Sequence, residues 1–396
     1  MKTIQKLLAA ISLVALPTLC HAAQLTVTAV NKLQIARASQ TIELFAKDLA
    51  PLGETDFSKV HVQDSSGKEV LCQAVDTDFD DYHKPDMVIF QANFAAGESK
   101  KFTVNAGAKQ VFTKEQFRAY GRFVRERFDD FAWENDRIAH RTYGKGLETW
   151  KGEPLTSSTI DIWSKRTTRM VISEWYMVDD YHADHGEGAD FYSAGASRGN
   201  GGNGLWAADK LWVAKNFVDS RVLANGPIRV MFELDYEAFD VNGVKVSETK
   251  RISLDAGQNL DHYQSFYKPA SPTELTCAIG LKKVAGQEKD FNADHACLTA
   301  WEKVEKNQGM QGIALVVNPK TFKKEAEDKL NNLLLVKTDP NNSVVVNWNH
   351  AETVSYWAGF FWDKSGQFAD YAAWKKYVDE FAQGVTSPIE VKVSGE

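Results

Sequence analysis

Cysteine is scarce, four in 396 residues, and proline numbers only ten. So few thiols exclude a small disulfide scaffold, and 26 glycines without a three-residue period exclude collagen. Positive charge is also short: 46 Lys and Arg face 53 Asp and Glu, a net of −7 at pH 7. A phosphate backbone needs a basic surface, so no nucleic-acid partner is expected. No apolar run reaches the roughly 20 residues that span a bilayer, so no membrane anchor is expected either. The chain has no GxGxxG after a strand, no P-loop and no fixed-period repeat, which sets nucleotide-fold enzymes and solenoids aside.

What is present begins with an address. Lys2 and Lys6 precede the apolar run Leu7 to Leu16, and Cys20-His21-Ala22 offers small residues at the two positions that a signal peptidase reads. Residues 1–22 are expected to be a signal peptide and the product to be periplasmic or secreted. Leu19 before Cys20 argues against lipidation. Removing the leader takes two lysines and no acid, which moves the net charge from −7 to −9. It leaves Cys72, Cys277 and Cys297 in an oxidising compartment. Cys277 and Cys297 bracket the polar segment Gly280 to His295, so a disulfide is expected between them, with Cys72 a buried thiol.

The pattern is mostly β. Short alternating segments at Leu25 to Thr28, Val60 to Val62, Met87 to Phe90 and Phe102 to Val104 predict a small N-terminal β-sandwich over residues 23–108. A larger β domain is expected over 109–396. There Ile228, Val230, Phe232, Leu234 and Tyr236 alternate with more polar neighbours, and Asn242-Gly243 turns the chain into Val244 to Leu254. Further strands are expected at Met170 to Trp175, Ile313 to Val317, Leu333 to Val336, Val344 to Trp348 and Ile389 to Val393. Trp374, Tyr377, Val378 and Phe381 have helical spacing, with Gly384 placed to end the helix.

Chemistry concentrates at Tyr181-His182-Ala183-Asp184-His185-Gly186-Glu187-Gly188-Ala189-Asp190, two His and three carboxylates on a glycine-flanked loop. Acid/base work suits His182, His185 and Glu187, because imidazole titrates near working pH and a carboxylate takes the complementary role. The spacing matches neither HExxH nor an EF-hand, and no cofactor is required, but a metal on His182, Asp184 and His185 stays open. So does a plain hydrogen-bonded loop. His350 and Glu352, two apart, form a second acid/base pair. Arg137 and Arg141 share a strand face, and Arg198 heads a loop with four glycines. With Lys165 they are candidate grips for a carboxylate, by the forked geometry of guanidinium or by simple charge. Trp163, Trp175 and Tyr181 are candidate stacking faces among 11 Trp, 12 Tyr and 22 Phe. Internal pairing of the cations and burial of the rings are the competing readings.

The segments Phe131-Ala132-Trp133-Glu134-Asn135-Asp136-Arg137-Ile138-Ala139, Tyr181 to Gly188, Lys215-Asn216-Phe217, Val222 to Arg229 and Lys250 to Gly257 follow one another in an order that resembles a domain-of-unknown-function family of secreted bacterial proteins. That family is common among polysaccharide-utilisation genes. The resemblance implies a large β-super-sandwich with few helices, similar to galactose mutarotase, for residues 109–396. It also implies an oligosaccharide or monosaccharide ligand. The expected function is therefore a carbohydrate-active protein. Its chemistry would be isomerisation (epimerisation) or β-elimination on uronate-containing sugars, by His and carboxylate. The rival is a non-catalytic glycan binder using Trp163, Trp175 and Trp206.

Overall fold

A computed structural model describes residues 24–395 apart from 78–83, 153, 179, 272, 274, 330–331 and 338–353. The expected signal peptide, the strand Val344 to Trp348, and the pair His350 and Glu352 lie outside the described residues. The fold is mostly β with few helices, as the alternation predicts. The N-terminal sandwich packs one sheet, ordered Glu390–Gly395, Gln24–Val30, Ser99–Ala106, Val60–Asp64 and Glu69–Val70, on a three-stranded sheet of Arg37–Phe45, Met87–Phe94 and Cys72–Val75. Its core holds Val27, Leu44, Val62, Phe90 and Val104. The last strand of the chain thus lies antiparallel beside the first, with Val27 opposite Val393.

The larger body centres on an antiparallel eight-stranded sheet. In it the hairpin Arg229–Val241 and Val244–Asp255 turns at Asn242 and Gly243, both with positive φ, which explains why that dipeptide stands there. The sheet packs one face on two five-stranded sheets. Phe131, Trp133, Ile162, Leu205, Ile279 and Leu335 from these meet Val230, Phe232, Ile252, Ile313 and Phe360 in one core. The other face is covered by the helix Tyr371–Thr386, whose Trp374, Val378 and Ala382 bury against Leu260, Ala314 and Phe361.

Four expectations are overturned. Gly384 does not end the helix; it sits buried within it, two residues before the last. Met170 to Trp175 is not a strand. Ile172–Trp175 forms a helical turn, because the buried Glu134 carboxylate accepts the N–H groups of Val171 and Ile172 at 2.6 and 2.8 Å, a tertiary partner that overrides the local pattern. The glycine-rich stretch after Arg198 is not a loop but the buried strand Asn200–Ala207. Finally, Cys277 and Cys297 are not joined. Their strands, Cys277–Lys282 and Cys297–Lys303, belong to different sheets and different core clusters. Cys72 is buried, as expected, with Sγ accepting from Gln110 Nε2 at 2.9 Å.

Candidate functional site

Three neighbouring strands, Asp130–Asn135, Ala139–Thr142 and Asp161–Lys165, bring distant residues together. Arg141 lies at their centre and is buried. Its Nε donates to Asp161 at 2.9 Å, its Nη2 to Asp190 at 2.7 Å, and its Nη1 stands 3.5 Å from Asp130. Tyr143 donates to Asp161 at 2.6 Å and Tyr176 to Asp130 at 3.1 Å. One cation thus holds three buried carboxylates. Burial drives the Asp130 carboxyl up to about 7, partly offset by Arg141 and Arg127. Burial likewise pushes Asp190 well above the carboxylate range against the pull of Arg141.

The centre reaches the surface through the expected loop. His182, with its side chain 48% exposed, sets Nδ1 3.3 Å from the Asp190 carboxylate and 3.1 Å from the Asp190 carbonyl, which leaves Nε2 facing outward. Beside it the Tyr181 ring lies 4.5 Å from the imidazole, and its oxygen accepts from Arg127 Nε at 2.8 Å and Arg141 Nη1 at 3.4 Å. With two donors on that oxygen, its own O–H is a hydrogen-bond donor. Arg127 is buried beneath the Trp150 ring, 4.8 Å from its centre, and the exposed Phe128 stacks on Trp150 at 4.5 Å. Phe128 and Asp129 both adopt positive φ, 47° and 68°, which is strained for a bulky aromatic. Gly144 permits this turn: a Cβ there would stand 2.1 Å from the Asp129 carbonyl oxygen.

Other predicted residues go elsewhere. Glu187 pairs with Arg169 at 2.8 Å, and His185 binds the Asp180 carbonyl at 3.1 Å. Asp184 takes Arg166 at 2.6 Å and caps the amides of Gly186 and Gly188. The three open metal ligands therefore do not converge. Lys165 is sealed in the interior, donating to Glu134 at 2.7 Å and to the carbonyls of Asn135 and Arg169. Arg198 is sealed too, packed over Gly280 and bonded to Ser157 and Ser158. Trp163 is fully buried between Trp175, itself partly exposed, and Tyr181. Burial removes Lys165, Arg198, Trp163 and Arg141 as direct saccharide contacts. Arg137, half-buried, does not share a strand face with Arg141: it stands in the bend before the strand Ala139–Thr142 and lines a different recess. The sequence reading missed Asp130, Asp161, Arg127, Phe128 and Trp150, because their meeting depends on strand register.

No helix among the described residues is long and apolar enough to cross a membrane. Comparison with known proteins covers most of the chain. The family described as Domain of unknown function (DUF4861) matches residues 30–391. Uncharacterized protein P7 of Formosa agariphila is 33% identical over 377 residues, 93% of either chain. Among solved structures, an alpha-mannosidase from Enterococcus faecalis V583 superposes with TM-score 0.48 at 9% identity, over 94% of this chain and 46% of that one. A Glycosyl Hydrolase Family 38 protein from Enterococcus faecalis gives TM-score 0.45 at 10% identity, over 96% and 48%. The chain spans about half the length of these two. Matched over most of its length by the family pattern and by a relative at 33% identity, the chain belongs to the DUF4861 family.

Proposed function

We propose that the protein is a periplasmic or secreted enzyme that performs acid/base chemistry on an acidic saccharide at the surface formed by Trp150, Phe128, Tyr181 and His182. One observation carries this reading: an exposed imidazole oriented by a buried carboxylate that Arg141 in turn holds, a chain of contacts that fixes one ring tautomer and leaves Nε2 for substrate. The partly exposed Trp150 and Phe128 rings give a sugar ring an apolar face, and the buried Arg127 guanidinium beneath them makes the local field favourable for its carboxylate.

β-Elimination suits these groups best. His182 Nε2 takes the proton from the carbon next to the sugar carboxylate, and the Tyr181 O–H delivers one to the departing glycosidic oxygen. The C–H and C–O bonds break as a C=C bond forms, so an alcohol and an unsaturated uronate leave. No residue of this mechanism calls for a cofactor. The test is a rise in ultraviolet absorbance from the conjugated product when uronate oligomers are supplied. Turnover in the wild type that is lost in His182→Ala supports the reading. Binding with no product in the wild type favours a glycan binder instead.

A further inference from the structure

A cavity of about 530 Å³ opens where the strand Arg37–Phe45, the outer face of the eight-stranded sheet and the helix Tyr371–Thr386 meet. That volume lies within the roughly 300–1,000 Å³ typical of small-molecule sites. None of its lining residues belongs to the His182 centre. Three arginines line it, and two are already engaged. Arg229 binds Asp255 at 2.6 Å and Glu43 at 2.6 Å, and Arg37 donates to the Ser387 carbonyl at 2.9 Å. Arg137 differs. No carboxylate of the described residues lies within ion-pair distance of it, its buried Nε has no hydrogen-bond partner, and its guanidinium stands 5.8 Å from the centre of the Phe368 ring. The remaining carboxylate of the lining, Glu380, stands 3.8 Å from Lys376 on its own helix. Part of the lining is aromatic: His262 and Trp357 stack at 4.6 Å and 9°, with half-buried Tyr377 and Phe381 in the same lining.

We infer that this cleft is a second saccharide site, in which Arg137 takes the carboxylate of a uronate unit and the Trp357 shelf takes the face of its ring. The physical reason is a guanidinium lacking its anion beside ring surface that is left partly uncovered. The inference shares the ligand class of the proposed function but none of its residues.

Titration calorimetry with a galacturonate tetramer and a neutral galactose tetramer tests it, using His182→Ala as host so that the ligand stays intact. Adding Arg137→Met should weaken uronate binding about tenfold or more, the worth of one charge-assisted hydrogen bond. Arg137→Lys should recover part of the loss. Trp357→Leu should weaken both tetramers several-fold. Unchanged thermal midpoints confirm that the variants fold. If Arg137→Met and Trp357→Leu bind like the host while Arg127→Met does not, the cleft inference is overturned and the functional reading stands. If the cleft variants lose binding but His182→Ala turns over like wild type, the functional reading fails alone. Absence of uronate binding by every variant and by the wild type overturns both.

Discussion

The guanidinium of Arg37 lies directly against Gly384, where a Cβ would come within 2.6 Å of Nη2. A strand of the first sandwich is thereby fastened to the C-terminal turn of the helix, where the Ser387 carbonyl and the helix dipole both favour a cation. Gly384→Ala should improve helix propensity by about 1 kcal/mol but displace a charge-assisted bond worth about 1.5–3 kcal/mol. The expected net effect is a loss of about 1 kcal/mol. In an Arg37→Ala background the same substitution should stabilise instead, and urea midpoints for the four proteins of this cycle would reveal whether the sign reverses.

Removing the central cation of the buried carboxylates should be far more damaging. Arg141→Met leaves Asp130, Asp161 and Asp190 to face one another without it, a loss of about 3–5 kcal/mol or failure to fold. Asp190→Asn in the same chain should restore part of that loss. Chemical denaturation of the single and double variants measures the recovery, and additive losses would show that the groups are not coupled.

Much of the fold was legible because it rests on local alternation. From Arg229 the expected stretch is a strand with Val230, Phe232, Leu234 and Tyr236 inward, and the helix over Trp374 to Phe381 is present. Polarity on the other face of that strand misleads, however. Arg229 and Glu233 are buried, and Arg229 pairs with Glu43 from the first sandwich, a contact that no window of sequence contains. The candidate site shows the same divide. His182 was visible from composition, whereas Lys165 looked like a ligand because its partner Glu134 lies 31 residues away.

Glu302 supplies a pH test away from the site. Its carboxyl accepts from Gln311 and Gln287, yet burial holds it up at about 7, against 4.5 for an ordinary glutamate. The folded state binds this proton more tightly than the unfolded chain. The stabilisation is therefore complete below pH 4.5 and is lost as pH rises through 7, on the order of 3 kcal/mol in all. Glu302→Gln should match the wild type near pH 4.5 and exceed it at pH 8. Gln311 Oε1, which has no partner, can accept from the new amide after a flip. Parallel stability curves across that range would sink the idea.

Substitutions along the Trp150 surface should separate binding from chemistry. His182→Ala is expected to lower kcat at least a hundredfold with little change in thermal midpoint, since the ring is half-exposed and makes few buried contacts. Trp150→Ala should raise KM and leave kcat largely intact. Gly144→Ala, which evicts the Asp129 turn, should behave like Trp150→Ala with an added loss of stability. Steady-state kinetics on one uronate oligomer would distinguish all three.

The pairing of Gln24–Val30 with Glu390–Gly395 also sets a timetable for biosynthesis. The first sandwich begins to emerge early, yet Ile389, Val391 and Val393, which help close its core, follow the strands of the larger body in the chain. Until they arrive, one side of the opening strand offers unpaired backbone groups to any neighbouring chain. Completion of the smaller sandwich therefore waits on translation of the larger one. A nascent chain stalled before Glu390 would carry a nearly finished interior beside an adhesive edge.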